Sequence, residues 1–426
     1  MRLGQVDLAL PQLAALYQRN KLLAKGAPDF VAGYVLEWTL LNQNQTSSEI
    51  SVSVQGPKSP EVTESQEILD VIDEYQRDYK NAISIAAKRN RYSGFRIPDA
   101  PGSQRKWSPV RLDHVPSRQE FMAFVQRREP FVISMPHPDS NADTLDRELD
   151  YLTDHCPSLL EALGWGSTCS WNPDHLCSIG GEEPVQLVLR SNITQHFGVT
   201  GEPKARRETT WCSHVKRVFN RSRTEPTAYF DFGSCSKGED KHYFPLNRLR
   251  EEMPTPSFLH PSAAERKTKS HKYDPVFEVD KVSLWLGGGG DIGAGNCGLH
   301  FDALDNFHIM LHGRKEWTIY DPGDAHLLHF ISPANYVLPD GTIRTHQNLV
   351  NLQFEKYGYN TRFSKVGTTA EWHQRALFPW ANKTRPARFT LDSGEALYLP
   401  WGWAHEVESS GQIFLSVTYW SNGVSD

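Results

Sequence analysis

The sequence predicts a mainly β fold with flanking helices, in which short strands close into a barrel-like core. Two observations carry that reading. Apolar runs of strand length, such as Val282–Leu286, Phe307–His312, Trp317–Tyr320 and Ala396–Leu399, follow one another with glycine-containing turns between them. Two chemically loaded stretches sit at the ends of those runs: Gly298-Leu299-His300-Phe301-Asp302, and Leu397–Leu399 running through Pro400-Trp401-Gly402-Trp403-Ala404 to His405. On an extended strand, His300 and Asp302 point to the same face because side chains alternate with period two.

The elements follow in chain order. Leu8, Leu10, Leu13, Leu16 and Leu22 recur at helical spacing and stop at Lys25-Gly26, and Phe30–Leu41 is apolar enough for a second helix. Residues 42–64 are rich in Gln, Asn, Ser, Thr and Pro and read as a loop. A third helix is expected from Ser65 to Lys88, with Ile68, Val71, Ile72 and Tyr75 forming a stripe that Ala82, Ile85 and Ala86 continue. Residues 1–108 are therefore expected to be a helical N-terminal region that packs on the remainder or pairs two copies into a homodimer.

From residue 109 to 426 the pattern changes. Ser117-Arg118-Gln119-Glu120 has the spacing of a capping box opening a helix. Pro130–Ser134 and Val185–Leu189 read as strands, and residues 158–164 as a short helix. Gln195–Arg223 is polar and basic and is expected to be a mobile loop, residues 255–275 a surface insertion, and Asp321–Pro386 a long insertion walling a groove. Phe307–His312 and Trp317–Tyr320 are expected as two strands joined by a turn at Gly313-Arg314-Lys315. The run Gly287–Gly290 lacks the Gly-Lys-Ser/Thr of a phosphate loop and reads as a tight turn.

Composition narrows the function classes. A chain of 426 residues with 38% hydrophobic and 11% aromatic residues can bury a large core. A net charge of −6 gives no basic footprint for nucleic acid, and Lys204–Arg207 and Lys216-Arg217 read as solvated loop charges. Met1–Asp7 lacks a signal-peptide pattern, and no apolar run is long enough to span a membrane. Cys156, Cys169, Cys177, Cys212, Cys235 and Cys297 form no CxxC pair and are expected to be mostly reduced thiols, as in a cytoplasmic or nuclear protein. Cys212, His214 and Cys235 fit no common zinc-finger spacing.

His300 and Asp302 on one face, closed by the distant His405, have the residue types of a 2-His-1-carboxylate facial triad, which holds Fe(II) and leaves coordination positions open. An isolated His-x-Asp is otherwise a common chance pattern, and it is the strand context that favours metal. Together with Gly313-Arg314-Lys315 and Gly394-Glu395-Ala396-Leu397-Tyr398-Leu399-Pro400, the pattern resembles the JmjC (cupin-like) 2-oxoglutarate oxygenases, and within them the small hydroxylase branch. The resemblance covers roughly residues 110–426.

That resemblance implies a double-stranded β-helix, or jelly roll, with flanking helices. It also implies Fe(II), 2-oxoglutarate as co-substrate and O2. Lys315 occupies the position of the family's lysine for the far carboxylate, against the plain alternative of a solvated lysine. Tyr243, in the segment His242–Pro254, resembles the tyrosine of a family strand that meets the same carboxylate, against a plain core tyrosine. Asn306 matches an asparagine lining the co-substrate pocket. Cys297 stands where the family usually has Ser or Thr, and Thr418 where relatives often have Asn; both depart from the pattern. Trp401, Trp403 and Trp420 read as core or rim aromatics.

The implied reaction decarboxylates 2-oxoglutarate to succinate and CO2 and converts a substrate C–H bond to an alcohol, on a protein side chain or a modified nucleoside in RNA. N-methyl-lysine demethylation is the alternative, although histone demethylases often carry Glu where Asp302 stands. A catalytically silent cupin-like binding protein is the third reading. Scattered acids (Glu182, Glu183, Asp305, Glu316) are a weak hint of a basic substrate, and otherwise nothing spells a specificity.

Overall fold

A computed structural model describes residues 107–135, 156–189, 206–220, 228–233, 244–261, 277–288, 298–328, 330, 335–338, 341–345, 362, 364 and 384–421. The expected N-terminal helices, and the side chains of Tyr243 and Cys297, lie outside these residues. No helix among the described residues is long and apolar enough to cross a membrane.

The first elements are β1 (Val110–Leu112), α1 (Arg118–Arg127) and β2 (Phe131–Ile133). Helix α1 starts where Ser117 Oγ accepts the Glu120 backbone N–H, and ends at Arg128, which adopts the left-handed conformation at φ 52°. Its buried face, Phe121, Met122, Phe124 and Val125, covers the sheet. The ring of Phe121 meets Phe131, Phe258, Phe277, Phe307 and Tyr398 edge to face at centroid distances of 5.1–6.1 Å, so one helical residue joins helix, sheet and the 3-10 turn Ser257–Leu259.

Three helices and two strands follow: α2 (Ser158–Ala162), α3 (Pro173–Gly180), β3 (Pro184–Leu189), β4 (Arg206–Thr210) and α4 (Trp211–Phe219). The sequence reading of a mobile loop over Gln195–Arg223 is corrected here. Trp211, Val215 and Val218 stand at helical spacing and are buried, and the Trp211 indole donates to Leu176 O at 2.7 Å. Basic residues interleaved with that stripe hid it from a composition-based reading.

The expectation of mostly reduced thiols is corrected as well. Cys156 is bonded to Cys169, and Cys177 on α3 to Cys212 on α4. Four of the six cysteines are thereby oxidised, which removes Cys212 from any zinc site and removes the thiol argument for a reducing compartment. After β5 (Ala228–Gly233), helix α5 (Phe244–Glu252) occupies most of the segment compared above with a family strand.

The remaining strands are β6 (Val279–Gly287), β7 (Asp305–Tyr320), β8 (Asn335–Val337), β9 (Ile343–Thr345), β10 (Ala387–Asp392), β11 (Ala396–Leu399) and β12 (Ala404–Ser421). The main sheet runs β1-β2-β11-β7-β12-β6-β5-β3-β4, with β10 paired to β7. Its spine is the antiparallel pair of two long strands, β7 and β12. Their register runs from Ala404↔Tyr320 to Ser410↔Arg314, slips, and resumes from Leu415↔His312 to Ser421↔Asp305.

The expected turn at Gly313-Arg314-Lys315 is therefore not a reversal; β7 passes straight through it. Gly313 sits at the slip with φ 80°, and a Cβ there would run into the Ile413 carbonyl oxygen. The glycine supplies a bulge instead of a hairpin. One half of β7 is flanked by β11 and the other by β10, so the two long strands serve both parts of a jelly-roll core. Of the insertion Asp321–Pro386, the described parts include a 3-10 turn, Pro322–Leu327, and the β8–β9 pair.

Candidate metal centre and its cleft

Backbone pairing brings the centre together. His300 donates its N–H to His405 O at 2.9 Å and receives the His405 N–H on its own carbonyl at 2.7 Å, while Gly402 N–H donates to Asp302 O at 2.9 Å. The His300 and His405 rings then lie 4.3 Å apart, and their Nε2 atoms stand 3.9 and 3.5 Å from the Asp302 carboxylate oxygens. One donor atom from each of the three residues falls within 4.8 Å of the others, and among the described residues this is the one group of His, Cys, Asp or Glu so arranged.

The tautomers suit a metal. His300 Nδ1 lies 2.8 Å from Gly298 O, and His405 Nδ1 2.9 Å from Trp403 O. A carbonyl oxygen only accepts, so each ring carries its hydrogen on Nδ1 and turns an Nε2 lone pair toward Asp302. Burial pushes His405 down to about 4, helped by His300 and opposed by Asp302, so its ring is neutral near pH 7. Burial works against the Asp302 carboxylate, but His300, His405 and the Asn306 amide together hold its pKa below the ordinary value.

Asn306 donates from Nδ2 to Asp302 Oδ2 at 2.9 Å, which fixes the carboxylate's orientation. The loop before His405 is pinned from outside the cleft. Trp401 N–H donates to Asp305 Oδ1 at 2.8 Å, and Arg128 donates to Trp401 O at 2.6 Å with its guanidinium 4.0 Å from the indole centroid.

A cleft opens beside the three residues, lined by Lys315, Asn306, His308, Thr418, Trp285 and Trp317 among others. Lys315 is buried; its Nζ donates to Ser416 Oγ at 2.9 Å and lies 5.6 and 5.4 Å from the Trp285 and Phe414 ring centroids. That is no solvated hairpin lysine. Thr418 Oγ1 is engaged by the Trp285 indole N–H at 2.9 Å and by His308 Nδ1 at 2.7 Å. Trp317 stacks on His405 at 5.7 Å and Trp420 also lines the cleft.

His300, Asp302, His405, Lys315, Asn306 and Thr418 are thus brought to one place. The sequence reading missed His308, Trp285 and Trp317. The signal for His308 was present: it lies two residues beyond Asn306 and so shares its strand face. Burial, the Lys315 charge and His405 push the His308 imidazole well below its ordinary range.

A jelly-roll sheet with a His-x-Asp…His cluster at the mouth of a cleft defines a cupin-type protein, and the donor atoms of that cluster are close enough together to hold a metal ion. The chain belongs to the cupin-like domain family, whose profile matches residues 117–426. It is 23% identical to the tRNA wybutosine-synthesizing protein 5 of Mus musculus over 268 residues, 59% of this chain and 67% of that protein. It is 26% identical to the lysine-specific demethylase JMJ32 of Arabidopsis thaliana over 151 residues, 33% of this chain and 41% of that one. The bifunctional peptidase and (3S)-lysyl hydroxylase JMJD7 of Homo sapiens matches at 26% over 143 residues, again 33% of this chain and 41% of that protein. The matches thus span less than half the length of these last two relatives.

Proposed function

We propose that this chain is an Fe(II)- and 2-oxoglutarate-dependent dioxygenase that hydroxylates a protein side chain or a modified nucleoside. The observation that carries the proposal is the donor set: two imidazoles, each locked by a backbone carbonyl with Nε2 facing in, beside one oriented carboxylate. Two neutral nitrogens and one carboxylate oxygen on one face fit divalent iron and leave room for other ligands. The chemistry iron and 2-oxoglutarate supply when bound is conversion of a C–H bond to an alcohol, with succinate and CO2 as the other products.

The protein's own residues bind and orient. His300, Asp302 and His405 would hold the metal, and Asn306 keeps Asp302 turned toward it. Lys315 places a cation in the lining of the same cleft, where a carboxylate can seat. Trp285, Phe414 and Trp317 give the cleft apolar walls, and a low-dielectric lining strengthens that pairing. The relatives whose names specify a modified tRNA base or a hydroxylated lysine support a hydroxylase and leave both substrate classes in view.

The test is succinate formation from 2-oxoglutarate with Fe(II) and ascorbate, comparing wild type with His300→Ala. Signal in the wild type that disappears in the variant supports the reading. Failure of the wild type to bind Fe(II) and 2-oxoglutarate in an anaerobic titration overturns it and leaves a ligand-holding protein without turnover. Release of formaldehyde from a methylated peptide would mark demethylation instead, a reading that no feature of the described residues favours separately.

A further inference from the structure

Thr418 faces the cleft, yet its hydroxyl is already committed. It accepts the Trp285 indole N–H, which can only donate, and it lies 2.7 Å from His308 Nδ1. A hydroxyl has one hydrogen to give. If His308 Nδ1 carried a hydrogen, both Thr418 contacts would be incoming and its own hydrogen would be left without an acceptor. The arrangement that satisfies the Trp285 indole, the Thr418 hydroxyl and His308 Nδ1 together has Thr418 donating to His308 Nδ1, which places the imidazole hydrogen on Nε2. That Nε2 is buried and has no hydrogen-bond partner, and His308 is one of the residues lining the cleft. A buried N–H without an acceptor is costly, and a ligand oxygen in the cleft removes the cost.

Lys315 stands on the same strand as His308 and lines the same cleft. We propose that His308 Nε2–H and the Lys315 ammonium together hold the far carboxylate of the dicarboxylic 2-oxo acid, with Thr418, itself held by the Trp285 indole, acting through His308 as a positioning residue. The inference rests on the oxygenase reading and deepens it. It also gives a role to Thr418, which stands where relatives often have Asn: its hydroxyl sets which nitrogen of His308 carries the hydrogen.

The experiment is an anaerobic binding titration of the Fe(II)-loaded full chain with 2-oxoglutarate and, separately, with 2-oxobutyrate, which has the same 2-oxo acid end and no second carboxylate. The wild type should prefer 2-oxoglutarate. In His308→Leu its affinity should fall about ten- to a hundredfold, while 2-oxobutyrate affinity stays within about twofold and Fe(II) binding persists. Thr418→Val should lose part of the preference, and Thr418→Ser should restore it.

An unchanged ratio of the two affinities in His308→Leu overturns the assignment and leaves the oxygenase reading standing. A wild type that binds Fe(II) but not 2-oxoglutarate overturns both. Should His308→Leu fail to fold, shown by lost Fe(II) binding, the ratio in the Thr418→Val and Thr418→Ser pair decides the matter in the same way.

Discussion

His300 and His405, far apart in sequence, exchange both backbone hydrogen bonds across a single antiparallel bridge. The bridge sets the spacing of the two imidazoles before any metal arrives. Because it is made of main-chain atoms, it survives the loss of either side chain.

His300→Ala and His405→Ala should therefore abolish measurable Fe(II) binding, a loss of more than about a hundredfold, while the far-ultraviolet circular dichroism spectrum keeps its wild-type shape. Retained iron affinity in both variants would contradict the assignment of this centre.

Asn306 donates to Asp302 Oδ2 and would act on a bound metal through that carboxylate. Asn306→Ala should weaken Fe(II) binding about ten- to a hundredfold, as losses of such outer partners do. Asn306→Asp should be worse, because a second carboxylate beside Asp302 repels it and favours protonation of one of the pair. Anaerobic calorimetric titration checks both.

His214 is buried on α4 with Nε2 against Leu286 O, and burial pushes its pKa from 6.5 down to about 4. The unfolded chain then binds a proton that the folded chain refuses between those two values. Stability from this group is present above pH 6.5 and lost as the pH falls toward 4, amounting to about 2 kcal/mol between pH 7 and pH 5. His214→Gln should shrink the acid-induced loss by that amount, read as urea unfolding free energies at the two pH values.

The two disulfides should appear as the pairs Cys156–Cys169 and Cys177–Cys212 in peptide mapping without reductant. The second ties α3 to α4 across a sequence separation of 35 residues, so the double variant Cys177→Ala, Cys212→Ala should unfold about 4 kcal/mol more easily. Free thiols at all four positions in the native protein would refute the pairing.

Phe121→Ala removes the ring that five other aromatic rings pack against. A cost of about 3–5 kcal/mol in chemical denaturation is expected. Because the ring contacts Phe307 on β7 and Tyr398 on β11, the cleft beside His300, Asp302 and His405 should loosen with it.

Short-range patterns were legible where a local rule applies. Ser117 caps α1, the turn Asp392–Glu395 introduces β11, and Ala396–Leu399 has the bounds expected of it. Readings failed where a residue's meaning depends on a distant neighbour. Gly313 looks like a hairpin turn in isolation and is a bulge because Ile413 crosses it. Cys177 and Cys212 look like isolated thiols until α3 and α4 pack.

The sequence by itself determined the chemical inventory: His300, Asp302 and His405, with Asn306 and Lys315 on the strand that follows. Asn306 and Lys315 are separated by an odd number of positions, which a regular strand sends to opposite faces, and the bulge at Gly313 offsets this so that both line one cleft. Only the tertiary structure decided which nitrogen of each imidazole faces inward, that Lys315 is buried against Ser416, and that the Thr418 hydroxyl meets His308 Nδ1. Strand periodicity is a property of the local backbone. Tautomers, burial and hydrogen-bond partners are set by atoms that the chain brings from elsewhere, and no local pattern encodes them.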